Sequence, residues 1–311
     1  MMCVVFFWLF RLKEMIPFNK PSIAVVGAGK VGSALALLLS RRGYLVTGVA
    51  DESFSAAERL AGQLKVPATG KPEEITSGAD IVFITTPDRI IAPVAEEISK
   101  KKGFKAGQVV FHTSGAHPAG AVGAVRRSGA LAASLHPLQS FADVKMAMEN
   151  LEGSYFALEG DAGALLVAEQ IVRDLGGRSF TIAAKDKPLY HAAACIASNY
   201  LVSLMHLATG LFSRFGLSRE EAFQALLPLV QGTVSNIAQV SPAPALTGPI
   251  ARGDGTTLEG HLATLREVGK QEMDLYCVLG LYTIKVALEK GSINQDQEER
   301  LKEIFKEAYV K

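Results

Sequence analysis

The first apolar run of the chain leads straight into a glycine-rich turn and then into a helical pattern. Ile23–Val26 is the apolar run, and three glycines spaced G-x-G-x-x-G follow it: Gly27, Gly29 and Gly32. In such a unit the first glycine permits a tight turn, the second lets the backbone approach a pyrophosphate, and the third lets the helix pack on the strand. The free N–H groups of the helix N-terminus bind the phosphates. The order predicts a dinucleotide-binding strand–turn–helix unit that also includes Lys30 and Val31.

An acidic pair ends the second predicted strand. Asp51 and Glu52 stand about 20 residues beyond the glycines, where the fingerprint places the acid that accepts hydrogen bonds from the adenosine ribose. A 2′-phosphate would be repelled there and normally needs an arginine, and the first arginine after the strand is Arg59. The pattern predicts NAD as the preferred cofactor, with NADP as the alternative. Two solvated acids at a helix entrance would be the purely structural interpretation.

Small polar residues end the next two strands of the pattern. Thr85, Thr86 and Pro87 follow an apolar run, and we predict that they line the cofactor. Asp88 comes next, and we expect it to cap the following helix. His112-Thr-Ser-Gly115 ends the next strand, and Ser114 is predicted to bind the carboxamide of the cofactor or the substrate.

Composition and charge exclude several classes of protein. The 311 residues are enough for about two domains with substantial cores. Lys and Arg total 32 against 31 for Asp and Glu, so no net field recruits nucleic acid or an anionic membrane. The three cysteines stand far apart without C-x-x-C spacing. We therefore expect no metal site, no disulfide framework and a cytoplasmic location.

The chain begins with an apolar stretch, Met1–Phe10. About ten residues are too few for a spanning helix, and the stretch lacks the leading positive charge and cleavage site of a signal peptide. We interpret residues 1–20 as an N-terminal extension that is disordered or lies outside the native start. A weak anchor to a membrane surface is the alternative, and we expect no membrane partner.

Two domains follow the extension. From residue 21 to 184, short apolar runs alternate with amphipathic helical stretches, which is typical of a parallel α/β sheet. From 185 to 311 the strand signals cease, and Pro188 begins a helix predicted to run to about Phe215. The fold class is therefore α/β: an N-terminal Rossmann dinucleotide-binding domain with an all-helical second domain.

The first helix of the second domain carries a polar stripe. Lys187, His191 and Ser198 fall on one face at 100° per residue, and Asn199 lies at the edge of that face. A reductase needs a proton for the new alkoxide, and Lys or His can supply it when burial tunes the pKa. We predict these four residues to be catalytic. The alternative is a solvated Lys187 that begins the helix and a His191 that belongs to the core.

Two more residues are candidates for binding the substrate. His136 follows a further predicted strand, and it either donates to a substrate oxygen or fixes its own loop. Arg252 lies in a loop rich in Pro and Gly, where a guanidinium can bind a carboxylate through two hydrogen bonds. A partnership with Asp254 that stabilises the turn is the competing interpretation of Arg252.

Six motifs resemble those of a known family, the Rossmann-like oxidoreductases that carry the C-terminal domain of unknown function 2520. They occur in order from about Pro21 to the end of the chain: GAGKVGSAL, TTPD, HTSGA, SLHPLQSF, KPLYHAAACIASNY and LTGPIARGD. More distantly, the layout is similar to prephenate dehydrogenase, ketopantoate reductase, pyrroline-5-carboxylate reductase and the β-hydroxyacid dehydrogenases. The resemblance implies a helical domain that forms a homodimer.

The resemblance also implies a chemistry. Some similar proteins serve as an alternative ketopantoate reductase, and related NADP users tend to carry Arg where this chain has Glu52. In the β-hydroxyacid relatives a Lys and an Asn four residues apart flank the substrate. Lys187 matches that Lys, but the residue four positions on is His191, and Asn199 stands two turns further along.

Three functions remain open at this point. The leading prediction is an NAD(P)-dependent oxidoreductase that reduces a small 2-oxo acid, with Lys187 as the proton donor and His191 supporting it. The second is a prephenate-dehydrogenase-like enzyme in which His136 or His191 acts as a base, or an imine reductase. The third is a sensor that binds a dinucleotide without catalysis, which would need neither the buried stripe nor a loop for an anionic substrate.

Overall fold

The computed structural model describes residues 20–310, and one eight-stranded sheet organises the first part of the chain. The strand order is β3-β2-β1-β4-β5-β6-β7-β8. All neighbours are parallel except β6 and β7, which are antiparallel. The strands are β1 Ile23–Val26, β2 Val46–Ala50, β3 Ala68–Thr69, β4 Ile81–Ile84, β5 Val109–His112, β6 Leu131–Pro137, β7 Tyr155–Gly160 and β8 Arg178–Thr181. The predicted N-terminal extension lies almost wholly outside the described residues.

The central strands are buried on both faces. Every residue of β1, β4 and β5 is buried, as expected for parallel strands with helices on each side. One core, which includes Phe83 and Phe111, fills one face of the sheet, and a second core that includes Val82 and Val110 fills the other. Alternate residues of a strand thus supply opposite cores, and the carboxyl ends of β1, β4 and β5 lie at one edge.

Seven α-helices accompany this sheet. The helices α1, α2 and α4 each follow a parallel strand, and each presents an apolar stripe to one of the two cores. A 3₁₀ segment spans 119–128, between β5 and β6. The helices are α1 Lys30–Arg41, α2 Phe54–Leu64, α3 Glu73–Thr76, α4 Asp88–Lys100, α5 Val144–Leu151, α6 Ala162–Asp174 and α7 Lys187–Ala197.

The helix predicted to run from Pro188 to Phe215 is interrupted. It ends as α7 at Ala197, and α8 (Asn199–Phe212) begins after Ser198, whose ψ of −67° distorts the helical path. The chain divides into two compact units between Asn199 and Tyr200. The first unit therefore includes α7, which the sequence assigns to the second domain.

The second unit is helical throughout its described part. Its core packs Leu258 and Cys277 against Phe305, and Gly280 stands where a side chain would overlap the Phe305 ring. After α8, its helices are α9 Arg219–Val240, α10 Pro242–Ala245, α11 Gly255–Val268, α12 Lys270–Lys290 and α13 Gln295–Val310. The predicted fold class, a Rossmann domain followed by a helical region, is confirmed.

By length and composition alone, the helical segment Ala184–Phe215 would be apolar enough to cross a membrane. It carries the polar stripe of Lys187 and His191, and soluble proteins contain similar helices. Its length and its apolar composition are therefore weak evidence for a membrane segment.

Candidate functional site

The three glycines of the turn after β1 differ in how much space surrounds them. Gly27 has a φ of 111°, and a Cβ there would lie 2.8 Å from the carbonyl carbon of Thr85. A Cβ on Gly32 would overlap the Gly27 carbonyl oxygen and the Thr85 Oγ1. Nothing lies within 4 Å of the position of a Gly29 Cβ. Two glycines therefore let the strand and the helix pack, and Gly29 leaves the space that a pyrophosphate needs.

The N-terminus of α1 stands beside this open space. Gly29 is its N-cap residue and offers no side-chain cap, so the first N–H groups of the helix stay available to a ligand. Lys30 and Val31 form the first turn, and the Lys30 side chain is exposed. The geometry is compatible with the predicted roles of both residues, which stay predictions.

The carboxylate of Asp51 is held against the glycine turn. Its Oδ2 accepts a hydrogen bond from the Ala28 N–H at 2.6 Å, and its Oδ1 accepts one from the Ser53 N–H at 2.8 Å. Glu52 is exposed beside it. A carboxylate oxygen accepts more than one hydrogen bond, so Asp51 keeps acceptor capacity for a ribose hydroxyl at this position.

The end of β4 contributes a hydroxyl that lacks a partner. Thr85 Oγ1 donates to the Gly27 carbonyl oxygen at 2.7 Å and so fixes the glycine turn. Thr86 Oγ1 is buried and has no hydrogen-bond partner in the described structure. Because buried polar groups are nearly always paired, this hydroxyl fits a site whose partner is a bound molecule. Pro87 follows as the N-cap residue of α4.

Ser114 connects the ends of β4 and β5. Its Oγ donates to Asp88 Oδ2 at 2.8 Å and accepts from the N–H groups of Ala116 and His117. Asp88 is the first residue of α4 and makes no side-chain cap hydrogen bond. The prediction that Asp88 caps this helix is therefore wrong, because its carboxylate is turned to the Ser114 hydroxyl instead.

His112 is a buried residue that supports the same loop. Its Nδ1 accepts the Ser114 N–H at 3.2 Å, so its Nε2 carries the proton and donates to the Pro118 carbonyl oxygen at 3.0 Å. Burial, and next the positive charge of Lys187, lower the pKa of His112 to about 4. A neutral ring with both nitrogens paired positions the loop and leaves no nitrogen for a ligand.

Lys187 is buried beside the loop after β5 and the middle of β6. Its side chain is 0% exposed, and its Nζ donates to the Ser114 carbonyl oxygen at 3.0 Å and to Ser134 Oγ at 2.5 Å. Burial lowers the pKa of Lys187 to about 8, against the opposing effect of the Glu159 and Asp88 carboxylates. The ammonium group thus connects α7 with the loop after β5 and with β6.

Two imidazoles converge on Gly115. A Cβ on this glycine would lie 2.6 Å from His191 Nδ1 and 2.8 Å from His136 Nε2, so both nitrogens face one point above the loop. His191 Nδ1 is buried without a hydrogen-bond partner in the described structure. The prediction of site residues did not include Gly115. The only signal for it was its place directly after Ser114 in the HTSGA motif.

An aromatic wall extends from His136. Tyr190 Oη lies 2.7 Å from His136 Nδ1, and the Tyr190 ring meets the Phe180 ring edge to face with centroids 5.9 Å apart. Burial raises the pKa of Tyr190 to about 12 and lowers that of His136 to about 4, so both groups are neutral at pH 7. Sequence reasoning missed both aromatic residues, because a Tyr in an apolar helix and a Phe in a strand are ordinary core residues.

These groups line a cleft of about 510 Å³ in the first unit. The cleft brings together four residues predicted from the sequence: His136, His191, Ser198 and Asn199. Cys195 also lines it, with its Sγ 3.7 Å from His191 Nε2. Lys187 and Ser114 do not line the cleft, and their predicted roles in binding or proton donation stay predictions.

Arg252 belongs to the second unit and is exposed there. It ends a 3₁₀ turn, Ile250–Arg252. Asp254 caps α11, because its two oxygens accept hydrogen bonds from the Thr257 N–H and hydroxyl. The predicted role of Arg252 in holding a carboxylate stays a prediction.

The glycine turn, the acid after β2 and the polar strand ends lie along the carboxyl edge of a parallel sheet. This arrangement defines the first unit as a Rossmann dinucleotide-binding domain. Two family models match the chain: a Rossmann-like domain over residues 14–137 and the Domain of unknown function (DUF2520) over residues 154–283. The chain combines these two domains, and the family predicted from its motifs is confirmed.

Solved structures of similar fold cover nearly the whole chain, whereas no curated protein matches it. A candidate NADP oxidoreductase from Bacteroides fragilis is 18% identical with a TM-score of 0.67, over 94% of this chain and 99% of that one. A Thermotoga maritima protein is 24% identical with a TM-score of 0.64, over 93% and 98%. A 1-pyrroline-5-carboxylate reductase from Streptococcus pyogenes is 18% identical with a TM-score of 0.59, over 94% and 100%. At these identities the likeness concerns the fold.

Proposed function

We propose that the protein is a nicotinamide-dinucleotide-dependent reductase of a carbonyl or imine group in a small molecule. The observation that carries the proposal is the convergence of His136 and His191 on Gly115, at the sheet edge that also holds the glycine turn. Solved structures of similar fold include a 1-pyrroline-5-carboxylate reductase and an imine reductase. Small oxo acids, with ketopantoate as the first to try, and imines are the candidate substrates. A cytoplasmic location remains part of the proposal.

The dinucleotide supplies the hydride for such a reaction when it is bound. The residues of this chain then manage the proton and the orientation of the substrate. As the carbon of the C=O or C=N group gains hydrogen, negative charge develops on the oxygen or nitrogen, which must receive a proton. We assign this proton to His191, which lines the cleft and whose Nδ1 has no hydrogen-bond partner in the described structure. His136, Ser198 and Asn199 orient the group to be reduced.

Lys187 takes a positioning role in this proposal, in place of the proton transfer predicted from the sequence. A proton donor must come within hydrogen-bond reach of the reacting atom. The Lys187 ammonium is instead directed at the Ser114 carbonyl oxygen and at Ser134 Oγ. These contacts hold the loop that carries Gly115 beneath the two imidazoles.

The proposal is tested by following the absorbance of the reduced nicotinamide during incubation with a panel of small oxo acids, ketones and imines. We expect at least one member to be reduced, with one dinucleotide oxidised for each product formed. A protein that binds the dinucleotide but oxidises it with no member of the panel would contradict the proposal and favour the sensor.

A binding measurement tests the cofactor preference. We expect NADH to bind more tightly than NADPH, because Asp51 and Glu52 would repel the additional phosphate of NADPH. Fluorescence titration of the two reduced dinucleotides measures both dissociation constants, and Asp51→Asn and Glu52→Arg should narrow the difference. Equal or tighter binding of NADPH by the parent protein would refute this prediction.

We also propose that the protein forms a homodimer through its helical unit. Large apolar side chains are exposed on three helices of this unit, including Val202 on α8, Leu229 on α9 and Tyr282 on α12. Extended apolar surfaces of this kind mark sites of association. Light scattering is expected to give twice the 33.1 kDa of one chain, and Leu229→Glu should shift the protein toward the monomer. A monomeric parent protein would overturn the proposal.

A further inference from the structure

We propose that Tyr190 holds His136 as a neutral hydrogen-bond donor, with the ring proton fixed on Nε2, and that His136 thereby binds a lone pair of the group to be reduced without acting as a base. The inference rests on the proposed function, because it specifies how the same cleft handles that group. The sequence left both roles open for His136, and the contact with Tyr190 distinguishes them.

The hydrogen bond between Tyr190 and His136 has one favourable direction. Tyr190 Oη lies 2.7 Å from His136 Nδ1. A neutral imidazole has one nitrogen that donates and one that accepts. Because an imidazole nitrogen is a far stronger base than the oxygen of a phenol, the phenol is the donor in such a pair. Tyr190 therefore donates to Nδ1, which leaves the proton of the His136 ring on Nε2.

Both groups keep the protonation state that this hydrogen bond requires. Burial raises the pKa of Tyr190 to about 12, so the phenol keeps its hydrogen at pH 7. Burial, and next the positive charge of Lys187, lower the pKa of His136 to about 4, so its ring is uncharged at the same pH. The neutral ring has its accepting lone pair on Nδ1, where Tyr190 occupies it. His136 therefore has no lone pair with which to remove a proton from a substrate.

The protonated nitrogen of His136 lies on the side of the ring that faces the loop after β5. A Cβ on Gly115 would lie 2.8 Å from His136 Nε2 and 2.6 Å from His191 Nδ1, and both histidines line the cleft. A carbonyl oxygen has two lone pairs, so it can accept from His136 Nε2 while it takes the proton that we assign to His191. The hydrogen bond from His136 strengthens as negative charge develops on that oxygen.

Neighbouring rings hold the phenol in the position that this role requires. The rings of His136 and Tyr190 meet at 85° with centroids 5.5 Å apart, and the Phe180 ring packs against Tyr190 with centroids 5.9 Å apart. Edge-to-face contacts of this kind favour a defined orientation of both rings. A flip of the His136 ring would exchange its two nitrogens and break the hydrogen bond to Tyr190. Tyr190 is thus a positioning residue, which acts through His136.

The tautomer of His136 is measured directly and without a substrate. Long-range proton–nitrogen correlation spectra of the protein with isotope-labelled histidines distinguish a protonated ring nitrogen from an unprotonated one, and the loss of signals in His136→Gln assigns those of His136. At pH 7 we expect the proton on Nε2 and a hydrogen-bonded Nδ1 whose signal moves in Tyr190→Phe. Tyr276→Phe is the matched control, because its phenol lies 2.8 Å from His261 Nδ1 in the second unit, and it should leave the His136 signals in place.

Two substitutions of His136 separate a hydrogen-bond donor from a base. The amide of His136→Gln offers a neutral N–H near the place of Nε2 but cannot take up a proton, whereas His136→Leu offers no donor. Removal of one donor to a developing oxyanion costs about 10²–10³-fold in kcat. We expect a loss of that order in His136→Leu and a loss at least about 10-fold smaller in His136→Gln. Tyr190→Phe should lower kcat by about 2- to 12-fold, as for the loss of one hydrogen bond, and Tyr276→Phe should leave it unchanged.

The outcomes separate the inference from the function on which it rests. A proton on Nε2, together with the partial rescue by His136→Gln, supports both. A proton on Nδ1, a doubly protonated ring at pH 7, or equal losses of kcat in His136→Gln and His136→Leu overturns the inference and leaves the reductase intact. If no member of the panel of oxo acids, ketones and imines is reduced, the proposed function fails and the role of His136 in binding the substrate fails with it. The spectra then still decide whether Tyr190 fixes the tautomer.

Discussion

Gly29→Val is expected to abolish dinucleotide binding while the protein still folds. No atom lies within 4 Å of the Cβ that the substitution adds, so the side chain meets no protein neighbour. It instead fills the space through which the backbone approaches a pyrophosphate. Fluorescence titration with NADH and thermal unfolding measure the two expected results on one sample.

Gly32→Val is the matched control from the same motif. Its side chain would overlap the Gly27 carbonyl oxygen and Thr85 Oγ1, so strand and helix would have to separate. We expect a loss of about 3 kcal/mol or more in the free energy of unfolding. Retained dinucleotide affinity in Gly29→Val would mean that the phosphates bind elsewhere, whatever Gly32→Val does.

His191→Ala is expected to lower kcat by about 10²–10⁴-fold, which is the usual contribution of a general acid. The affinity for the dinucleotide should change little, because His191 lines the cleft and not the glycine turn. Added imidazole should restore part of the rate, since the vacated space can admit the missing ring. His261→Ala is the control, because this histidine is exposed in the second unit and contacts Tyr276.

Lys187→Met is expected to have a smaller effect on kcat and to alter its dependence on pH. With a pKa near 8, the Lys187 ammonium is charged below pH 8 and loses its proton above it. Activity of the parent protein should therefore fall as the pH rises through 8, when the hydrogen bonds to Ser114 and Ser134 weaken. Lys187→Met should lack this alkaline limb.

A different outcome would identify Lys187 as the proton donor. If Lys187→Met loses as much activity as His191→Ala is predicted to lose, and imidazole does not rescue the latter, the assignment drawn from the sequence stands. Near-normal turnover in both variants would make the stripe structural, and His136 would become the candidate donor.

The sequence predicted the glycine turn and the acid after β2 because local chemistry defines them. Gly27, Gly29 and Gly32 form a turn whose function depends on a few consecutive backbone atoms, and Asp51 follows at a fixed distance in the same βαβ unit. The alternation of apolar runs and helical stretches was equally local, and it predicted the Rossmann domain and the helical region correctly. Helical periodicity did not predict the interruption at Ser198, since the apolar pattern continues across it.

The arrangement of the cleft depended on residues that are distant in the chain. Helical spacing placed Lys187 and His191 on one face, but only the fold buried Lys187 against Ser114 and Ser134 and left His191 in the cleft. The sequence also predicted that Asp88 caps a helix, whereas in the fold its carboxylate accepts a hydrogen bond from Ser114 Oγ. Each of these outcomes depends on a contact between separate elements. The sequence of one segment does not contain the information for such a contact.

By itself, then, the sequence determined the strand–turn–helix unit, the order of the two domains and the polar residues available at each strand end. The tertiary structure alone decided which of those residues meet: His136 and His191 above Gly115, Lys187 beneath it, and Tyr190 and Phe180 along the wall. The physical reason is that backbone turns and helical faces follow from neighbouring residues. Burial, which sets the charge of Lys187 and His136, arises only when distant segments exclude water from the same volume.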